Sequence, residues 1–349
     1  MRWLVATSLG CDDATAVASL RELQRTFGSA SFDVVANVFD ARPSVPCAAL
    51  AALTSSTVVV GVRSERGFKS RFWRSLTPVL TSTYDIVWLR DSDVSASKHL
   101  FSLGEVEHWL RATGAAVAQP SIVPLDGRSK SHGWWTPFRA AFHASCVVAS
   151  SPIIEQMTPI FTRFAFDAFR EKLARVPEPL LWTDSGDFGL ETFWCGLFRA
   201  STNHSLALPE PASATLTRAS TIAATDTWRA AAAPPACIIL HHVSVVHMDT
   251  RTIDRGRASR TAATHANASS TAAAGGGLRD YLIARWPHAM NASGHPGDVH
   301  HKRHQTRCWG VAARPPNGGA GASSRATSRI ANGTHATVVR GRSGTRALA

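Results

Sequence analysis

The sequence predicts an α/β fold: a mainly parallel central sheet with helices on both faces, followed by a basic tail of another character. Three observations carry the prediction. Apolar runs of strand length alternate with stretches of helical spacing through the first third of the chain, the pattern of repeated strand–helix–strand units. One run, Ile86–Leu89, is apolar at every position, as expected of a strand buried on both faces. The charge excess of +12 is confined to one end: Arg255 to Ala349 holds 14 Lys/Arg and 2 Asp/Glu, whereas residues 1–254 hold 23 of each. The basicity therefore belongs to the tail and does not argue for nucleic acid as a partner.

Trp3–Ser8 reads as the first strand and runs into Leu9-Gly10-Cys11-Asp12-Asp13. Val17, Leu20, Leu23 and Phe27 then recur at helical intervals from Ala14 to Phe27. Phe32–Phe39 and Thr57–Val62 are the second and third strands. Lys69–Leu80 has Phe72, Leu76 and Leu80 on one side of a helix that Pro78 must end or kink. Ile86–Leu89 follows as a strand, Val106–Ala112 as a short helix and Ala115–Gln119 as a further strand. Ala141–Ser150 is strand-like. Ser151-Pro152 has the form of a cap with proline at the first helical position, so a helix is expected from there through Leu173, with a break at Thr158-Pro159. After a loop from Pro177 to Gly186, Phe188–Leu197 reads as a helix and Cys237–Met248 as a late strand.

Residues 1–254 make one expected domain. The tail, 255–349, is rich in Ala, Ser, Thr, Gly, Arg and His. Its few large apolar residues cannot offset the entropy of ordering, so it is expected to be mostly disordered. The exception is a short helix near 278–287, able to dock through Leu278, Tyr281, Leu282 and Trp286. Six cysteines occur with no C-x-x-C pair, which argues against structural zinc and leaves fifteen possible pairings. Sequons at Asn203, Asn267, Asn291 and Asn332 are compatible with secretion. Met1–Ala6 is too short for the apolar core of a signal peptide, and no apolar run is long enough to span a bilayer. Membrane attachment is expected only through an anchor outside this chain. The expected location is then the Golgi or secretory lumen, and otherwise the cytoplasm.

The most informative stretch is Tyr84-Asp-Ile-Val-Trp-Leu-Arg-Asp-Ser-Asp-Val94. A buried strand stops at two aspartates spaced i, i+2, at the strand end where open α/β sheets bind ligands. Asp91 and Asp93 would repel each other without a nearby cation, and hard divalent ions prefer such oxygen ligands. Many nucleotide-sugar transferases hold a metal, and through it a diphosphate, on a strand ending this way. A strand exit followed by a helix cap is the plainer alternative.

Several motifs resemble, in order, those of a poorly characterised family of glycosyltransferase-like proteins from plants, algae and bacteria. They are Lys69–Leu80, Tyr84–Val94, Ala118-Gln-Pro-Ser121, Ile154–Arg163, Asp187-Phe-Gly-Leu-Glu191 and Val245-Val-His247, spanning roughly residues 57–254. Arg90 stands where that family usually has an aromatic residue, and its side chain should alternate away from the aspartates. The resemblance implies a GT-A-like single Rossmann-type domain that transfers a sugar from a nucleotide-sugar donor to a hydroxyl of a glycan, protein or small-molecule acceptor.

On that basis Asp91 and Asp93 would bind Mn2+ or Mg2+. His247 would complete the coordination, preferred over His241 and His242 for its place at the strand end. Ser8, Asp12, Arg63, Lys69 and Ser92 would contact the donor, with Arg63 suited to a bidentate grip on phosphate. Glu191, then Asp187, then Asp184, are the candidates for the base that an inverting transfer needs. Asp187 also suits a helix cap and Glu191 the helix dipole. Gln119 and Trp182 are candidate acceptor contacts. Two other readings fit an Asp-x-Asp strand: a non-catalytic carbohydrate-binding or scaffold protein of the same fold, and an aspartate-nucleophile phosphatase.

Overall fold

The strand β1 (Trp3–Leu9) lies inside the sheet, between β2 (Phe32–Val38) and β4 (Ile86–Asp91), and pairs parallel with both. This is seen in a computed structural model, which describes residues 1–28, 32–42, 45–65, 67, 69–96, 100–124, 146–181, 190–199, 234–248, 278–291 and 308–311. β3 (Val59–Arg63) extends the parallel set beyond β2. On the other side of β4, the antiparallel strand β8 (Ile160–Thr162) joins it to β6 (Val117–Pro124). Next come β9 (Cys237–His247), parallel to β6, then β7 (Cys146–Ser150) and β10 (Cys308–Val311), both antiparallel. The two-residue β5 (Val94–Ser95) pairs with the end of β9. The order is β10-β7-β9-β6-β8-β4-β1-β2-β3. All the longest ladders are parallel, so the sheet is mainly parallel, as expected.

Side-chain alternation divides the core between two faces. Trp3 and Val5 of β1 and Ile86 and Trp88 of β4 pack with Leu20 and Leu23 of α1 (Ala14–Phe27), Leu53 of α2 (Ala48–Thr54) and Val106 of α5 (Leu103–Thr113). Leu4, Ala6, Val87 and Leu89 face the opposite way. They meet Phe72 of α3 (Lys69–Ser75), Phe166 and Phe169 of α6 (Arg163–Ala174), and Trp194 of α7 (Leu190–Arg199). The uninterrupted apolar run in β4 is thus explained, since both its faces are covered. Trp88 stacks on Phe101 at 4.8 Å between ring centroids, and its indole donates to Thr158 Oγ1 at 2.9 Å.

Two local expectations are corrected. The helix expected over Lys69–Leu80 is two, α3 and α4 (Pro78–Thr81), because Pro78 starts a new helix rather than continuing the old one. The helix expected from Ser151-Pro152 does not begin there. Pro159 has no N–H to give to a helix, and the carbonyls of Met157 and Pro159 accept instead from Asp91 N (2.8 Å) and Leu89 N (2.9 Å). Residues 160–162 then form β8 along β4, and Thr162 caps α6 by accepting from Ala165 N at 3.3 Å. The late strand forms as expected, with one break in its pairing. β6 carries Pro120, which cannot donate to a ladder, and the register jumps from Pro120–Leu240 to Ser121–Ser244, so residues 241–243 of β9 bulge out. One compact unit runs from Met1 to Ala312. α8 (Leu278–Arg285) and α9 (Pro287–Asn291) bury Leu278, Leu282 and Ala289 against the α7 face. Of the rest of the expected tail, only Cys308–Val311, which forms β10, is among the described residues.

Among the described residues two disulfides are formed. Cys11, just after β1, joins Cys47 at the start of α2, and Cys195 of α7 joins Cys237 at the start of β9. Among the described residues no helix is long and apolar enough to cross a membrane.

Candidate functional site

At the carboxyl ends of the parallel strands one register row is polar throughout: Arg63 on β3, Asn37 on β2, Ser8 on β1 and Asp91 on β4. Alternation places the row on the α3 face, two residues beyond the buried Val35, Ala6 and Leu89. The same edge of an open α/β sheet is where ligands bind.

Asp91, the last residue of β4, keeps one-fifth of its side chain exposed. Lys69, the first residue of α3, donates from Nζ to both its carboxylate oxygens, at 2.8 and 2.9 Å. Burial pushes the Asp91 carboxyl above the usual carboxylate range, the Lys69 ammonium pulls it back, and the like charge of Asp93 adds to the upward push. Ser8 stands beside Asp91 in the row, and its buried hydroxyl has no hydrogen-bond partner among the described residues. Asn37, which the sequence reading passed over, is fully buried. Its amide donates to Glu65 O at 3.0 Å and accepts from Glu65 N at 2.8 Å. It thereby fixes the segment leading into Lys69. The sequence signal for it was a lone amide after the apolar run Val34–Ala36.

Asp93 sits in the turn after β4. β5 begins one residue later and pairs Val94 with His247, while Asp93 O accepts from Met248 N at 2.9 Å. This short ladder brings His247 Nε2 to 3.1 Å from Asp93 Oδ2, in a pair nearly nine-tenths buried. Behind the turn lies Arg90, on the α1 face and away from the aspartates, as alternation requires. Its guanidinium reaches Ser19 Oγ and Val94 O. Burial pushes its pKa down to about 10, against the raising influence of Asp93, Asp91, Glu22 and Asp13, so it remains a cation at neutral pH. Ser95 is tied to Glu22 of the same helix. The Asp91–Ser95 turn is therefore held from behind by α1 and in front by β9.

Other expected site residues fall elsewhere. Ser92 is buried within the turn, and Asp12 is exposed in the loop after β1. Arg63 is three strand spacings from Asp91, roughly 14 Å, and pairs with Glu65 at 3.4 Å. Its place in the row is far from any group held by Asp91. Gln119 is buried, and its Oε1 accepts from Glu155 N at 2.7 Å, an internal contact. His242 leaves the strand in the bulge to meet Glu105 Oε2 at 3.0 Å and Val147 O at 3.2 Å. His241 lies in the same bulge, so His247 is the histidine of β9 that the fold brings to the acidic pair. Glu191 is in the first turn of α7. That helix is bridged through Cys195 to the start of β9, the opposite end from His247. Trp182, Asp184 and Asp187 lie outside the described residues.

Two carboxylates and an imidazole are a donor set suited in kind to a divalent cation. Among the described residues, however, no three metal-ligating side chains converge on one point. In this arrangement the Lys69 ammonium supplies the charge opposite Asp91.

No protein-family model matches the sequence, and no curated protein matches it. Solved structures with a similar chain path include the mannosyltransferase PcManGT of Pyrobaculum calidifontis in complex with GDP-Man and Mn2+. It is 13% identical over 87% of this chain and 76% of that one, with a TM-score of 0.42. They also include S. aureus TarS 1–349 in complex with UDP-GlcNAc, 12% identical over 48% of this chain with a TM-score of 0.34. A cytidylyltransferase from Leptospira borgpetersenii is 10% identical over 50% of this chain and 65% of that one, with a TM-score of 0.29. The chain spans about half the length of the TarS 1–349 chains it matches. These are similarities of chain path alone, and the functional reading rests on the site.

Proposed function

We propose that the protein is a glycosyltransferase of GT-A type that uses a nucleotide-sugar donor and a divalent cation, Mn2+ or Mg2+. The observation that carries this reading is the acidic pair. Asp91 ends a doubly buried parallel strand and Asp93 lies in the turn after it, beside a Ser8 hydroxyl with no partner among the described residues and with His247 drawn alongside by the β5–β9 ladder. In this reading Asp91, Asp93 and His247 hold the cation, which when bound neutralises the leaving diphosphate. Ser8 and Lys69 serve the donor. Asn37 positions Lys69, and Arg90 keeps the turn in place. The acceptor base is assigned to Glu191 or Asp187. Disulfides such as Cys11–Cys47 and Cys195–Cys237 suit an oxidising compartment, so the reading includes a secretory location.

The test is calorimetric titration of a panel of nucleotide sugars in the presence and absence of Mn2+. A Mn2+-dependent binder is expected. Asp91→Asn and Asp93→Asn should each abolish that dependence while leaving the thermal melt within a few degrees of the parent. Binding that is unchanged in both variants would overturn the assignment of the acidic pair. Turnover of the bound donor separates a transferase from a scaffold of the same fold, and an aspartyl-phosphate trapped at Asp91 would favour a phosphatase instead.

A further inference from the structure

Basic side chains of the chain itself already stand beside the acidic pair. Lys69 holds both oxygens of Asp91, at 2.8 and 2.9 Å, from a side chain about one-quarter exposed. Arg90 lies behind the turn with its charge retained, and His247 is 3.1 Å from Asp93. A divalent cation arriving at Asp91 therefore meets an ammonium bound to the carboxylate it needs. Lys69 can yield: it stands at the first position of α3, on a flexible four-carbon stem. A diphosphate beside Asp91 would offer it new anionic oxygens.

Resting on the reading of Asp91 as a cation ligand, we propose that Lys69 is an exchange group. Without a donor it neutralises Asp91 and disfavours the divalent cation. When a diphosphate binds, Lys69 transfers its hydrogen bonds to the phosphate oxygens and frees Asp91 for the cation. Cation and diphosphate then bind with positive coupling, and each tightens the other by the same factor. No covalent step is involved; one ion pair is exchanged for two.

The experiment is calorimetry on the full chain with Mn2+ alone and with Mn2+ in the presence of inorganic pyrophosphate. The parent should bind Mn2+ weakly alone, and on the order of tenfold more tightly with pyrophosphate, the scale set by one close like charge. Lys69→Met should bind Mn2+ alone on the order of tenfold more tightly than the parent and show correspondingly weaker coupling to pyrophosphate. Lys69→Gln provides a second neutral variant should Lys69→Met melt early, and Lys69→Arg, which keeps the charge, should bind Mn2+ alone as weakly as the parent. If the neutral variants bind Mn2+ no better than the parent while Asp91→Asn abolishes binding, the exchange role is overturned and the cation site stands. If neither the parent nor any Lys69 variant binds Mn2+ under either condition, both the exchange role and the cation reading are overturned.

Discussion

At the scale of single residues, buried polar groups organise this sheet edge. Asn37 shows how. Both ends of its amide are used on one backbone unit, Glu65, so an apolar replacement removes two hydrogen bonds and releases the segment before Lys69. Asn37→Ala is expected to cost about 1–3 kcal/mol, the range for hydrogen bonds lost from a buried group. It should also weaken pyrophosphate binding; a variant that loses neither stability nor affinity would remove Asn37 from the positioning role. Tyr84, before β4, gives the molecule a signature in alkali. Its hydroxyl donates to Asp33 at 2.9 Å, and burial, then the bond to Asp33, push its pKa up to about 12 from 10.0. A phenol whose pKa is higher in the folded than in the unfolded state contributes its full stabilisation below about pH 10, and loses it as pH climbs through about 12. Urea unfolding of Tyr84→Phe should show a shallower loss of stability across that window than the parent. Identical slopes would mean that Tyr84 does not titrate in this way.

At the scale of elements, the legible parts were those in which one physical signal dominated. The all-apolar run of β4 could only be a doubly covered strand, and the aspartates that end it lie at the sheet edge as read. β8 was illegible for the converse reason. Ile160, Phe161, Phe164 and Phe169 fit a helical stripe, and only the two carbonyls taken up by β4 decide that residues 160–162 are a strand. The bulge in β9 follows from a proline on its neighbour, Pro120, which single-strand periodicity cannot see. The docking of α9 depends on an absence that composition hides, the missing side chain of Gly196. A Cβ there would drive into the backbone carbonyl of Ala289, so α7 and α9 touch only because residue 196 is glycine. Gly196→Ala should gain about 1 kcal/mol of helix propensity yet lose more through the overlap, lowering the melting temperature by several degrees. A melt at or above that of the parent would mean that α9 does not dock on α7.

At the scale of the whole molecule, a covalent bond reinforces the join between its earlier and later parts. α7 carries the candidate Glu191, while β9 carries His247 and forms the ladder that steadies the acidic turn. Cys195–Cys237 ties this helix to that strand across 42 residues of sequence. Opening the bridge frees a long loop in the unfolded chain, and the chain-entropy account puts the loss at about 4 kcal/mol for a loop of this length. That is a large share of the 5–15 kcal/mol that typically holds a domain together. Cys195→Ala/Cys237→Ala is therefore expected to unfold at markedly lower urea concentration than the parent prepared under oxidising conditions, with a slope at least as steep because the unfolded chain is no longer cross-linked. Parent protein kept reduced throughout should resemble the double variant or fall below it, since it has also lost Cys11–Cys47. The comparison bears on location as well: a fold needing its bridges belongs where disulfides persist. If reduced and oxidised protein unfold at the same midpoint, the bridges add no stability and the argument for a secretory compartment loses its physical basis.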